Sequence, residues 1–310
     1  MTNCFNTIAF KNLARIDTSH GYIDSMALMK FPLHYKCAYL GPKSSLYEFY
    51  WTPICLSGPK TDEELENCLK YFEENPEFGG AYLQTRLGYH GVEQLNYLGK
   101  RIHLAHRTVF HLPTQKSEKD WFSSMKRDSK ARFSKIQKEL DENRLTIRNY
   151  DFADEVDLST LETCFEIYCN LAVKNGFRPQ YRFIFDELFM LISSEKWCLH
   201  TINVDEHIVG FSVLGDTGYD IDYTFAATLP SPYDVSRALI LSAFRFGKSL
   251  QKNVCLGGGI VEDDELAMFK LRMGTDVAKF VNLKICGKAL YMEAGEKFFE
   301  NYKTRRWPDV

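Results

Sequence analysis

Runs of alternating hydrophobic and polar positions in the first half of the chain predict strands, and they are separated by helical segments. The run at residues 38–56 surrounds a Gly-Pro pair and predicts a hairpin or two paired strands. A capping box at residues 61–64 predicts a helix through Asn75. Ser117, with an acidic residue three positions later, predicts the start of one long helix. The other predicted strands in this half are Ala81–Thr85 and Arg101–Leu112.

The second half alternates between helical periodicity and short strand-like runs. Ser231 followed by Pro232 is a strong helix start, with Ser231 as the predicted N-cap. The predicted helices are Thr160–Asn175, Arg182–Ser194, Val235–Gln251 and one around Phe269-Lys270. The predicted strands are Leu145–Asn149, Trp197–Val204, His207–Leu214, Tyr219–Ala226, Asn253–Leu256 and Phe280–Cys286. A mixed α/β (or α+β) protein is therefore expected.

Length and composition are those of a globular enzyme-sized chain. The 310 residues are 45% hydrophobic and 25% charged, which excludes wholesale disorder. This length favours two compact halves, and we expect them at residues 1–149 and 150–310. The first half is net basic and the second is net acidic.

Cysteine usage and the absence of apolar runs indicate the compartment. The nine cysteines include no CxxC pair, and their odd number favours free thiols over a disulfide framework. We therefore expect neither zinc nor another metal. The first residues have no signal-peptide pattern, and no run of about 18 apolar residues occurs. These features predict a cytoplasmic protein without a membrane span.

The basic excess of the first half is concentrated at residues 116–148, where ten Lys and Arg residues face six Asp and Glu residues. A protein that wraps nucleic acid usually has a broader basic surface. Arg132 and Lys135 are the candidates for binding a phosphate, since a guanidinium binds phosphate through two hydrogen bonds. The alternative is a solvated helix surface.

Two further segments contain residues suited to chemistry. Asp220 and Asp222 are two apart, hence on one face of a strand, and we expect Tyr219 and Tyr223 on that same face. A carboxylate there could hold or deprotonate an amine, or it could simply lie at an exposed edge. Three glycines at residues 257–259 follow a strand without a P-loop or dinucleotide spacing, and they fit a crowded active-site rim.

The order of these motifs resembles that of the Fem-type transferases, the FemABX-like branch of the GNAT acyltransferase superfamily. Leu256 and the three glycines, an acidic segment, Phe269-Lys270 and Gly274 are similar to the "GG…FK…G" signature of that family. Residues 108–112 followed by residues 132–136 are similar to its junction of a strand and a basic helix. Residues 226–232 are similar to its turn before a helix, and the resemblance covers roughly residues 105–290.

The resemblance implies two GNAT-like α/β halves, each a mixed sheet flanked by helices, facing each other across a cleft. It also implies transfer of an acyl or aminoacyl group to an amine. Members use either aminoacyl-tRNA or acyl-CoA as donor. This chain is shorter than the cell-wall members, has no helical-hairpin arm and lacks the Arg before Gly41-Pro42.

The resemblance also implies where a donor binds. The pantetheine arm would run between Tyr219–Ala226 and Asn253–Leu256, bonded to backbone groups of Phe225, Ala226 and Ala227. The pyrophosphate would lie at the N-terminus of the helix opened by Ser231, where amide groups and the helix dipole favour anions. Ser236 and Arg237 are close enough in sequence to help.

Catalytic and acceptor roles follow from the same comparison. Asp222 is the candidate that orients or deprotonates the amine, Lys270 the candidate that stabilises developing negative charge, and Tyr223 the candidate proton donor to the leaving thiolate. The candidate acceptor-binding residues are Arg132, Lys135, Gly258 and Phe269, with the first two on a diphosphate.

Three functions remain open at this stage. The leading one is an N-acyltransferase that moves an acyl group from acyl-CoA to the amine of a nucleotide-linked amino sugar. The first alternative is an aminoacyl-tRNA-dependent transferase acting on a peptidoglycan precursor, in which case tRNA is the one nucleic-acid partner. The second alternative is a non-catalytic binding protein with the same fold.

Overall fold

The computed structural model describes the elements that build the sheets and the site. Backbone is described for residues 18–24, 32–41, 44–49, 78–85, 102–150, 156–175, 185, 197–216, 220–259 and 264–286. Within these ranges, side chains are described for residues 108–279. The helices predicted from residue 61 to Asn75 and over Arg182–Ser194 lie outside the described residues, apart from residue 185.

Eleven strands and five helices are described. The strands are β1 (Thr18–Asp24), β2 (Pro32–Gly41), β3 (Ser44–Phe49), β4 (Phe78–Thr85), β5 (Ile102–Leu112), β6 (Thr146–Tyr150), β7 (Trp197–Val204), β8 (His207–Asp216), β9 (Ile221–Thr228), β10 (Val254–Cys255) and β11 (Asp276–Cys286). The helices are α1 (Glu118–Ser124), α2 (Arg127–Asp141), α3 (Leu158–Lys174), α4 (Val235–Ser249) and α5 (Glu265–Arg272). None of these helices is long and apolar enough to cross a membrane.

The chain forms two compact units, and the first combines the two ends of the sequence, residues 1–107 and 279–310. In it β1, β2 and β3 pair antiparallel in turn, β3 pairs parallel with β4, and β4 pairs antiparallel with β11. The antiparallel pair β2–β3 confirms the hairpin predicted around Gly41-Pro42.

The second unit is residues 108–278 and contains a mixed sheet flanked by helices. Its strand order is β5-β10-β9-β8-β7-β6, in which only β10 and β9 are parallel. The predicted boundary between residues 149 and 150 lies inside β6 of this unit. A linear division of the chain cannot anticipate that the last 30 or so residues return to the first unit.

Helices cover both faces of this sheet. On one face α4 packs against β7, β8 and β9, and its buried residues form the main core cluster with residues such as Leu214, Ile221 and Val254. On the other face α3 packs against β8 and β9, where Tyr168 contacts the ring of Phe225 edge to face. The alternation of side chains along a strand explains how one sheet supports two layers.

The antiparallel pair β7–β8 confirms the strands predicted at Trp197–Val204 and His207–Leu214. Asp205 and Glu206 connect the two strands and both have positive φ, 47° and 66°. Positive φ at both central residues is the conformation of a type I′ turn, whose twist matches that of the flanking strands.

The long helix predicted from Ser117 is wrong, because the structure contains two helices, α1 and α2, with extended backbone at Met125 and Lys126. The cause is tertiary. The amide of Lys126 donates to the carbonyl of Arg272, and a Cβ at Gly274 would lie 2.6 Å from the Ser124 hydroxyl. The chain therefore bends where it packs against the end of α5.

The aromatic core next to this bend anchors both helices. Trp121 is fully buried, stacks on Phe244 with ring centroids 4.1 Å apart, and contacts Phe133 edge to face. Its indole nitrogen donates to the Met273 carbonyl at 2.8 Å. Buried indole groups need such a partner, so this bond fixes α1 against the end of α5.

Candidate functional site

The two parallel strands at the centre of the second unit pair over only two positions. Ile221 lies opposite Val254 and Asp222 lies opposite Cys255. Strand β10 ends at Cys255, whereas β9 continues to Thr228 and stays paired with β8 along its other edge. The pairing between these two strands therefore ends directly after Asp222.

Asp222 lies at the point where the strands separate. It is opposite Cys255 on one side and opposite Gly215 on the other. The Thr224 hydroxyl is 3.4 Å from a carboxylate oxygen of Asp222. The side chain is half-buried, so the carboxylate is near solvent without being fully hydrated.

Tyr223 lies on the opposite face from Asp222, contrary to the expectation that the tyrosine shares its face. The Tyr223 side chain packs against the core cluster that contains Ile221, two positions earlier. Burial raises the pKa of the Tyr223 phenol well above its usual value. Successive side chains of a strand point to opposite faces, which is why a tyrosine next to Asp222 cannot share its surroundings.

Lys270 holds the glycine segment against α5. Its ammonium group donates to the carbonyl oxygens of Leu256 and Gly258, the second at 2.8 Å. Gly257 has φ of 66°, in the left-handed region that favours glycine, so the chain turns there and brings both carbonyls to the lysine. The glycine segment and the Phe269-Lys270 pair, which were grouped in one sequence motif, are therefore in direct contact through Lys270.

The electrostatic surroundings of Lys270 join the lysine to the strand separation. Burial lowers the pKa of Lys270 to about 8, and nearby Cys255, Asp264 and Asp222 oppose that shift. Asp222 and Lys270 are thus close enough to interact electrically. A half-buried lysine with a lowered pKa beside a carboxylate is typical of functional sites.

The remaining residues predicted along the donor arm line the same strand. The Phe225 ring contacts Tyr168 and Phe211, Ala226 packs towards the core cluster, and Ala227 is buried. Backbone pairing with β8 continues through Thr228. The three residues are therefore fixed by the layers on both sides of the sheet, and their strand runs from Asp222 towards the start of α4.

A pocket of about 530 Å³ lies where β9 ends and α4 begins. Its charged side chains are three cations and two carboxylates. The lining residues are Arg132, Lys135, Ile136, Glu139, Thr228, Leu229, Ser231, Pro232, Tyr233, Asp234, Val235, Ser236 and Arg237. The structure thus brings Arg132 and Lys135, predicted for the acceptor, together with Ser236 and Arg237, predicted for the donor.

Asp234 organises the charges of this pocket. Asp234, not the predicted Ser231, is the N-cap of α4, and its carboxylate accepts from the amide of Arg237. The same carboxylate binds the Arg237 guanidinium at 2.6 Å and lies 3.4 Å from that of Arg132. The Ser231 hydroxyl instead accepts from the amide of Tyr233. An aspartate caps a helix about as well as a serine, and its negative charge is also favourable at a helix N-terminus.

Phe269 also belongs to this end of the site. The Arg237 guanidinium lies over its ring, 4.8 Å from the centroid. Three of the four residues predicted for the acceptor, namely Arg132, Lys135 and Phe269, therefore lie beside a residue predicted for the donor. The fourth, Gly258, is bonded to Lys270.

Two residues that position this site, Asp234 and Glu139, were not among the predicted site residues. Asp234 had a visible signal, because it precedes the helical run and lies three residues before Arg237. Glu139 had none: it is buried and lies 3.6 Å from Lys135 one turn earlier on α2. An exposed glutamate at this helical position would have given the same sequence pattern.

Sequence comparisons identify no relative. No protein-family model matches the chain, and a comparison with curated proteins finds no match.

Structural comparison finds several solved proteins of the same architecture. The chain is similar to FemX, with a TM-score of 0.58 and 13% identity over 84% of this chain and 86% of that chain. It is also similar to the C-terminal domain of a putative lysylphosphatidylglycerol synthetase from Agrobacterium fabrum, with a TM-score of 0.56 and 10% identity over 94% and 91% of the two chains. L-PGS from Bacillus licheniformis gives a TM-score of 0.52 and 10% identity over 88% and 87%.

At these identities the likeness concerns the fold. The chain shares the α/β fold of FemX, which confirms the mixed α/β fold class predicted from the sequence.

Proposed function

We propose that the protein is a transferase that moves an acyl or aminoacyl group from a phosphate-bearing donor to an amine. The observation that carries the proposal is the arrangement along β9: its Asp222 end is where pairing with β10 stops, and its Thr228 end lines the cationic pocket at the start of α4. A Fem-like fold agrees with it. The reacting carbonyl would lie at the Asp222 end and the phosphates at the pocket.

The length of this path favours acyl-CoA as the donor. From Asp222 to Thr228, six residues of extended strand span roughly 20 Å. A pantetheine arm is a linear chain of comparable reach with amide groups that can bond to a strand edge. Its pyrophosphate would then meet Arg132, Lys135 and Arg237 next to the first amides of α4.

The chemistry at the other end is amide formation. A neutral amine attacks the thioester carbonyl, the C–N bond forms, the C–S bond breaks, and the thiolate takes a proton. Asp222 is suited to orient the amine or accept its proton, directly or through a water molecule. The Lys270 ammonium stabilises negative charge on the carbonyl oxygen or holds the glycine segment in the shape that does so.

The acceptor that we propose is a nucleotide-linked amino sugar. The motif resemblance supports this acceptor. The pocket gives weaker support for it, because Arg132 and Lys135, expected to bind the acceptor, share one pocket with Arg237, expected to bind the donor. Gly258 and Phe269 remain candidates for contacts with this acceptor. The three cations of this pocket balance the charge of one diphosphate better than the charge of two.

A specific observation favours aminoacyl-tRNA as the second candidate donor. The cations of α2 and its N-cap are all exposed, and Arg132 and Lys135 among them line the pocket: Lys126, Arg127, Lys130, Arg132, Lys135 and Lys138. A phosphate backbone could contact several of these cations at once. Binding of that kind weakens steeply as salt is raised, which distinguishes it from binding of a single pyrophosphate.

The test is a transfer assay with the full chain and paired substrates. Purified protein is incubated with acetyl-CoA or longer acyl-CoAs and a nucleotide-linked amino sugar, and the acceptor is followed by mass spectrometry. We expect a mass increase equal to the acyl group and release of free thiol. Transfer from aminoacyl-tRNA but not from acyl-CoA would show that the second candidate donor is the correct one. No transfer from any donor, with CoA still bound, would support the non-catalytic binding protein and contradict the proposal.

A further inference from the structure

Three metal-ligating side chains come together on the sheet, and the proposed transfer reaction uses none of them. They are His111 on β5, Asp220 just before β9 and Cys255 on β10. One ligand atom from each residue lies within 4.8 Å of the other two.

The strand register explains why these residues meet. Cys255 is directly opposite His111 in the antiparallel pair β10–β5. Cys255 is also opposite Asp222 in the parallel pair with β9, and Asp220 is two residues before Asp222. Side chains at directly opposed positions and at a spacing of two share a face of the sheet. Two of the three residues therefore lie on the adjacent strands β5 and β10, and Asp220 lies directly before the first residue of β9.

Burial separates this cluster from an ordinary group of surface polar residues. Cys255 is 1% exposed and Asp220 is 9% exposed, while His111 is half-buried. Asp220 already has an interaction in the folded chain, and a divalent cation bound by the thiolate, the imidazole and the carboxylate would add to it.

We propose that His111, Asp220 and Cys255 form a zinc site. A thiolate, an imidazole and a carboxylate are the ligand types that Zn²⁺ accepts, and in a tetrahedral site such atoms are roughly 3.5 Å apart. Small side-chain rotations within the observed 4.8 Å close that difference. Three protein ligands leave a fourth position for water or a substrate atom. This proposal departs from the expectation of no metal, which was drawn from the lack of CxxC spacing.

The same residue types could instead form a nucleophilic cysteine with a His and an Asp. Burial argues for the metal, because a nucleophile must be reached by its substrate and Cys255 is almost completely covered. A metal ion requires only a path for entry. The two possibilities give opposite results with a thiol reagent, so one experiment separates them.

The experiment begins with metal content and cobalt substitution in the full chain. Protein purified without chelator is measured by inductively coupled plasma mass spectrometry, then stripped and titrated with Co²⁺. We expect about one equivalent of zinc, and a cobalt complex with thiolate-to-metal charge-transfer absorption near the ultraviolet edge. These measurements on the unaltered protein do not depend on any variant folding.

Variants then assign the ligands. Cys255→Ser and His111→Gln should abolish the charge-transfer band or weaken metal binding at least tenfold, and Asp220→Asn should weaken binding with the band retained. The matched control is Cys198→Ser, since Cys198 is also a buried cysteine whose sulfur lies near a histidine, His200, at 3.8 Å, outside the cluster. This variant should bind metal as the unaltered protein does.

Three results would overturn the proposal. The first is the absence of both retained zinc and any cobalt band. The second is equal loss of metal in Cys198→Ser and Cys255→Ser. The third is rapid alkylation of Cys255 by iodoacetamide in the native, metal-stripped and metal-loaded protein alike, which would indicate an accessible nucleophile instead. Protection of Cys255 by zinc is the expected outcome.

Discussion

The polar residues near the two ends of strand β9 have very different surroundings. At one end Asp222 and Lys270 are half-buried, and burial lowers the pKa of the lysine to about 8. At the other end the side chains of Arg132 and Lys135 are 62% and 69% exposed and pair with carboxylates. Solvent screens the second set far more than the first. The comparison teaches that one strand can join a site for chemistry to a site for binding.

The largest expected effect comes from removing the carboxylate at the chemical end. Asp222→Asn should lower kcat by about 10²- to 10⁴-fold with donor KM nearly unchanged, since it removes a group used only when the amine loses its proton. The measurement is steady-state kinetics with both substrates varied.

The control for that substitution is Asp216→Asn at the end of β8. The Asp216 carboxylate binds the Lys252 ammonium at 2.6 Å, so its loss affects stability rather than the reaction. An equal fall in kcat in both variants, or a change confined to KM in Asp222→Asn, would contradict the chemical role of Asp222.

At the binding end, Arg237→Ala should raise donor KM by about 10- to 100-fold and leave kcat within a factor of about two, because a charge-assisted bond contributes roughly 1.5–3 kcal/mol. Arg237 is the least exposed cation of the pocket, with 13% of its side chain exposed. Its matched control is Arg245→Ala on the same helix, which loses an ion pair with Glu118 at 3.0 Å outside the pocket. A fall in kcat without a change in KM would reverse the assignment of the two ends.

Activity profiles in acid must be compared with folding, because His200 makes the fold itself depend on pH. Burial lowers the pKa of His200 to about 3 from 6.5, and one ring nitrogen lies 2.8 Å from the Ser242 hydroxyl. Above pH 6.5 the histidine is neutral in both states, and below it only the unfolded chain takes up the proton. Stability is therefore lost as pH falls from 6.5 towards 3.

This one residue should lower the free energy of unfolding by about 2 kcal/mol between pH 6.5 and 5. The measurement is urea denaturation at both pH values for the unaltered protein and for His200→Gln. The variant should lose about that much less, whereas His207→Gln, at an exposed position of β8, should behave like the unaltered protein. Equal losses of unfolding free energy in all three proteins would show that His200 does not cause the loss of stability in acid.

The smallest effect is expected at the exposed edge of the pocket. Arg132→Ala should raise donor KM by no more than about fivefold, since exposed ion pairs contribute up to about 1 kcal/mol. Lys138→Ala is the control, because Lys138 is on the same helix and pairs with Glu142 outside the pocket. A rise in acceptor KM instead would restore the role first predicted for Arg132 and would separate it from Arg237.

Much of the local structure was predictable from the sequence. Strand-like runs predicted β7 and β8, and the Ser-Pro helix start predicted α4. These signals are local, so no distant contact was needed to interpret them. The break between α1 and α2 was not predictable. It depends on contacts of this segment with Arg272 and Gly274, which approach it only in the folded chain.

The site was predictable only where the motif itself contains the contact. Gly258 and Lys270 are 12 residues apart in one sequence motif and are bonded in the structure. The pocket required α2 to pack against the start of α4, which brings Arg132 to Asp234. The His111, Asp220 and Cys255 cluster required the order of three strands. Spacing alone contains neither piece of information.

The account depends most directly on a donor whose arm follows β9 and whose phosphates occupy the α4 pocket. Isothermal titration of the full chain with CoA and with pantetheine, in the unaltered protein and in Arg237→Ala, tests this claim. We expect CoA to bind the unaltered protein at least tenfold more tightly than pantetheine, and we expect this difference to shrink strongly in Arg237→Ala. Equal binding of CoA and pantetheine, or an undiminished preference for CoA in Arg237→Ala, would contradict it.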